Sequence, residues 1–187
     1  MSRNQAGSSW IAKAIVFSLS STLAGLVGGA ILGTVGSVLP YDLRIALACL
    51  FAIPAIVLGA IELVGHRLRL LQCDRETPQA WVRLGPLRWA MLNGIALGSG
   101  GWSRIGFWLW YTVPIGALLV GNPALSAALF GTYSFVRGAA VWVIVFGVVR
   151  RRAGYARWLL GGAKVARSVT AGLLVLVGTV VIATIAF

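Results

Sequence analysis

Two stretches of this chain, 14–40 and 169–187, contain no ionisable side chain at all. Other apolar runs lie between them, and short polar segments separate one run from the next. A hydrocarbon slab of about 30 Å takes roughly 20 helical residues to cross. The pattern therefore predicts one all-α integral membrane domain covering 1–187, a polytopic transmembrane helical bundle. Six hydrophobic helices are expected, over 11–39, 43–65, 87–101, 105–120, 124–149 and 168–187. Pro40-Tyr41-Asp42 and Gly121-Asn122-Pro123 carry the turn chemistry that separates neighbours. Gly100-Gly101 does so between the third and fourth helices.

Composition agrees. Of 187 residues, 59% are hydrophobic and 11% charged, with a mean hydropathy of +0.90, whereas a soluble domain carries about 25% charged residues. Sixteen basic residues against four acidic ones give a net charge of +12. In a soluble chain that balance would point to nucleic acid, but here it follows from topology, because cytoplasmic loops are enriched in Lys and Arg. The expected partners are the bilayer and its anionic headgroups, not nucleic acid. A homo-oligomer or a membrane partner subunit is a further expectation.

The basic residues also bear on the number of crossings. With six spans and an inside N-terminus, seven basic residues fall inside and eight outside, which is no bias. If 87–120 is broken or re-entrant and makes a single net crossing, the count becomes thirteen inside and one outside. Arg104 and Arg137 then lie within the membrane. The second distribution is what the positive-inside rule expects. It places the protein in the cytoplasmic membrane, multi-pass, with a cytoplasmic N-terminus. An opposing signal favours six spans: Arg44-Ile45 to Pro54 and Arg104-Ile105 to Pro114 share a 60-residue offset, as a duplicated helix pair would.

Two basic loops are expected, at 66–88 and 150–167. In the first, Thr77 can cap a short helix opening with Pro78 and ending at Gly85-Pro86. Trp81 would anchor it in the headgroup region.

Small residues recur every four positions along the first helix, at Ser21, Gly25, Gly29, Gly33 and Ser37, and again at Ala90, Gly94 and Gly98. Residues four apart share a helix face, and close backbone approach across such grooves holds membrane helices together. The groove serves internal packing, or else a homodimer or partner subunit.

Arg137 stands out chemically, since a central intramembrane Arg is costly and normally faces a cavity or a partner. Glu62 is one candidate counter-ion, and carbonyls freed at the Gly98 to Gly101 break are another. Arg104, Asn93 and Tyr133 complete a hypothetical ligand-binding set for a small polar or anionic solute. Glu62 and His66 are four apart, yet a catalytic zinc needs three protein ligands. No metal, no cofactor and no catalytic residue is expected, and no enzyme motif is present. The expectation is a transporter-like or substrate-binding membrane subunit. The alternatives are a structural or assembly subunit and a membrane thiol-redox carrier.

The last alternative rests on a resemblance. The run Gly29-Ala30-Ile31-Leu32-Gly33 through Ser37-Val38-Leu39-Pro40, with the glycine-rich break before Arg104, resembles small bacterial membrane proteins of the cytochrome-c-biogenesis thiol-disulfide electron-transfer type. The resemblance implies a compact six-helix scaffold with a broken helix in each half. Ser37 stands where that family places a cysteine, while Cys49 and Cys73 lie elsewhere.

Overall fold

A computed structural model describes residues 3–66, 78–100, 107–149 and 155–186. Among them every regular element is helical: α1 (Arg3–Val38), α2 (Tyr41–Leu63), α3 (Pro86–Ser99), α4 (Thr112–Val120), α5 (Pro123–Val149) and α6 (Tyr155–Ala186). Two 3-10 helices, Gln79–Leu84 and Trp108–Tyr111, precede α3 and α4.

The expected fourth helix is only partly present. Its helical end is the nine-residue α4, with Pro114 in the first turn, where a missing N–H costs nothing. Pro54, its counterpart in the apparent duplication, lies inside the unbroken α2. The two segments thus fold differently despite their shared offset. The last helix begins at Tyr155 rather than at 168, so most of the expected basic loop 150–167 is helical. Ala, Leu, Arg and Lys are strong helix formers, and no proline interrupts 155–167. In the other basic segment Pro78 precedes the short helix instead of opening it, and Gly85 ends it with φ +94°. Thr77 falls outside the described residues.

Among the described residues, four helices contain segments long and apolar enough to cross a membrane: Trp10–Val38, Tyr41–Leu63, Pro123–Trp142 and Val165–Ile185. Their large apolar side chains point outward; Leu19, Leu23, Val27, Ile31 and Val35 of α1 are all exposed. Among the described residues the interior is made mostly of small residues instead, Ala14, Ser21, Ala52, Ala90, Ala117, Ser126, Ser134 and Ala171, with Phe130 and Leu174 the large exceptions. A small-residue interior inside a hydrocarbon exterior is the arrangement of a membrane-embedded protein, because lipid removes the hydrophobic drive to bury large side chains.

Glycine contacts fix the register. On α1, Gly25 meets Ser134, Gly29 meets Phe130, and Gly33 meets Ser126. Each four-residue step forward on α1 is a four-residue step back on α5, so the two helices are antiparallel. The same logic gives the opposite sense for α3, where Gly94 meets Phe17 and Gly98 meets Ser21. Helix α3 therefore runs parallel to α1 along its first half. Helix α4 lies against the second half, with Leu118 and Gly121 on Gly36. The two short helices follow one another along α1.

The remaining pair is α2 and α6, antiparallel through Gly59 on Ala171 and Val175, and Gly178 on Ala52 and Ile56. This pair meets the rest mainly through α4 and the 3-10 helix before it.

Candidate functional site

The site of interest lies where α3 ends, halfway along α1. Gly100 terminates α3 in the left-handed region with φ +71°, and a Cβ there would strike the Trp110 ring. Glycine is required on both counts. A helix ending inside the bundle leaves carbonyls to be satisfied. Ser134 of α5 donates its hydroxyl to the Gly98 carbonyl at 3.2 Å, and Ser99 donates to the Ala96 carbonyl at 3.3 Å.

A small polar network surrounds this point. Ser21 donates to the Ser134 carbonyl at 3.3 Å and Ser18 donates to the Gly138 carbonyl at 3.4 Å. The Trp142 indole N–H donates to the Ser18 hydroxyl at 2.8 Å. Further along, Ser126 donates to the Ala117 carbonyl at 2.6 Å, tying α5 to α4. Buried hydroxyls in an apolar interior need such partners.

Arg137 belongs to this level. It is half-buried with one terminal guanidinium nitrogen fully enclosed, and its chain neighbour Gly138 packs on Ser18 and Ser21. One turn earlier, Tyr133 is half-buried and receives a hydrogen bond from the Arg137 guanidinium. The C-terminal end of α3, the serine network and Arg137 thus share one level of the bundle.

The other predicted residues separate from this group. Glu62 is near the end of α2, and its charged neighbour is Arg167 of α6, not Arg137. Helix pairing explains the difference, since α2 packs on α6 and α5 packs on α1. Asn93 donates its amide to the Trp89 carbonyl of its own helix at 2.8 Å. Arg104 lies outside the described residues, as does Cys73, and Cys49 is a half-buried free thiol on α2. Gly25, Gly29, Gly33, Gly94 and Gly98 all lie at helix contacts within the chain. At the end of the stripe the contact is made by Gly36, while Ser37 is exposed and bonds back to Thr34. Four-residue steps advance about 40° round a helix with 3.6 residues per turn, so a three-residue step restores the face.

Sequence reasoning missed the α5 half of this seam, Ser126, Phe130, Ser134 and Gly138, which has the same four-residue spacing. Comparison with known proteins finds no family, no curated protein and no solved structure that matches the chain.

Proposed function

We propose that this membrane protein binds a small polar or anionic solute at the α3 break, with Arg137 as the recognising cation and Tyr133 orienting it. The observation that carries this reading is the depth of Arg137, which shares a level with the interrupted helix and its hydroxyl network. A fixed cation at mid-membrane is costly, by about 2.5–3.5 kcal/mol on insertion scales, and usually marks a solute or ion pathway. Broken helices that point their ends at a central site are a recurrent transporter device.

In this reading α3 and α4 make one crossing in two halves. Alone, α3 spans about 21 Å, and α4 with its preceding 3-10 turn about 22 Å, each short of the slab. Together they suffice, the crossings number five, and the basic segments gather on the cytoplasmic side. Movement would fall between the α2–α6 pair and the other four helices, because the glycine-serine seam leaves no room to slide. An assembly role through the α1 groove is disfavoured, since α5 and α3 already fill it.

The test uses purified protein and a panel of phosphate, sulfate and small carboxylates, read by thermal unfolding. At least one anion should stabilise the protein, Arg137→Ala should remove the effect, and Arg137→Lys should keep part of it. Equal unfolding temperatures across the panel would contradict the proposal.

A further inference from the structure

A second feature lies outside that site, between the two helical units. An apolar cavity of ≈ 510 Å³ is bounded by α2, α6, α4 and the 3-10 helix before it. Its walls include Ala48, Phe51, Trp108, Ile115, Leu119 and Val177. Among the described residues no charged side chain lines it; the Thr112 hydroxyl is spent on the Leu109 carbonyl at 2.7 Å, and the Trp108 indole N–H and Tyr111 hydroxyl are the other polar side-chain groups of the lining residues. The volume lies within the range of sites that take small organic ligands. The walls offer such a ligand almost nothing but hydrocarbon contact.

Beyond the lining residues, next to Ala48 and Leu119, the surroundings are different. Arg44 lies one turn before Ala48 on the same face of α2. Its guanidinium reaches across to α4, where one terminal nitrogen donates to the Val120 carbonyl at 3.5 Å, and it lies beside Gly121. Val120 directly follows the lining residue Leu119. The Tyr41 ring backs the guanidinium at 5.8 Å, and its Nε is enclosed with no hydrogen-bond partner among the described residues. Asp42, the nearest carboxylate in sequence, is exposed on another face. A guanidinium whose terminal nitrogen makes one long hydrogen bond, to a neutral carbonyl, is suited to a carboxylate or phosphate, a stronger charge-assisted partner.

We propose that this cavity holds a single-chain anionic amphiphile, its hydrocarbon chain between α2, α4 and α6 and its headgroup on Arg44. The two parts select together: the cavity excludes a free polar anion, and Arg44 discriminates against an uncharged chain. The site does not depend on Arg137 and stands whether or not a solute binds there.

The test is native mass spectrometry of the full chain in a non-ionic detergent, with oleoyl lysophosphatidylglycerol and oleoyl lysophosphatidylcholine as probes and inorganic phosphate alone as the chain-free control. One equivalent of the anionic lipid should bind at least tenfold more tightly than the zwitterionic one, and phosphate alone should not bind. Arg44→Gln should erase the preference and Arg44→Lys should retain part of it. A Cβ at Gly116 meets nothing nearer than Leu129 at 3.6 Å, so Gly116→Leu should fill the cavity and abolish binding of both lipids. Ala48→Leu serves the same purpose should Gly116→Leu fail to fold. Non-saturating uptake, equal affinity for the two lipids, or a preference that survives Arg44→Gln would overturn the proposal.

Discussion

The seam that joins α1 to α5 and α3 differs in kind from the seam that joins α2 to α6. The first combines glycines with serine hydroxyls that cross between helices: Ser21 to the Ser134 carbonyl, Ser134 to the Gly98 carbonyl, Ser18 to the Gly138 carbonyl. The second relies on Gly59, Ala52, Ala171, Leu174 and Gly178, and its threonines turn back on their own helix, Thr170 to Arg167 and Thr179 to Val175. Both allow close approach, but only the first adds directional bonds that fix rotation and depth. The contrast teaches which part of the molecule is a scaffold. The hydroxyl-laced unit holds the end of α3 and Arg137 at a set level, while the α2–α6 pair is held by van der Waals packing and borders the apolar cavity.

Substitutions can break that comparison, and the largest effect should come from Gly29→Leu. A side chain there collides with the Ser126 carbonyl and the Ala127 backbone, neither of which can rotate away. The cost should exceed the roughly 1–3 kcal/mol usual for overpacking, so folded protein should be lost in a denaturant titration followed by circular dichroism. Gly28→Leu, which meets nothing within 4 Å, should change stability by less than about 0.5 kcal/mol. Equal losses for the two variants would show that the seam is not specific.

Gly59→Leu should come next, at about 1–3 kcal/mol, because one of the atoms it meets is a Val175 methyl that can yield. Crosslinking between cysteines on α2 and α6 should fall while α1–α5 crosslinking persists. Among the seam substitutions Ser134→Ala should cost least, about 0.6 kcal/mol and at most about 1.7 kcal/mol, the range of single interhelical hydrogen bonds in membranes. Gly98→Ala should exceed it, since its Cβ meets the Ser21 backbone. A cost for Ser134→Ala as large as that for Gly29→Leu would mean that hydroxyls, not backbone approach, carry the seam.

Several of these features were legible in the sequence. Gly25, Gly29 and Gly33 form a strict four-residue repeat in an uncharged run, and such a repeat has few readings besides close packing. Their partners on α5 were hidden because Phe130 sits among Ser126, Ser134 and Gly138 and disguises the small-residue period. Gly59 and Gly178 are single glycines in long apolar runs, with no local pattern to mark them. The neighbour of Glu62 was hidden for a different reason: charge complementarity named Arg137 as a partner, but helix pairing puts Arg167 beside it. The short extent of α4 was signalled only by Pro114, and Pro54 shows that a proline alone does not end a helix.

The account depends most on α3 and α4 lying in series, which puts their far ends on opposite sides of the membrane. The direct measurement is labelling of single cysteines in intact and opened vesicles, with Cys49 and Cys73 replaced by alanine. Leu84→Cys, ahead of α3, and Ala124→Cys, after α4, are both exposed positions. The account predicts that membrane-impermeant maleimide labels them from opposite sides. Labelling of both from the same side would mean that α3 and α4 each cross, and would remove Arg137 from beside a mid-membrane break.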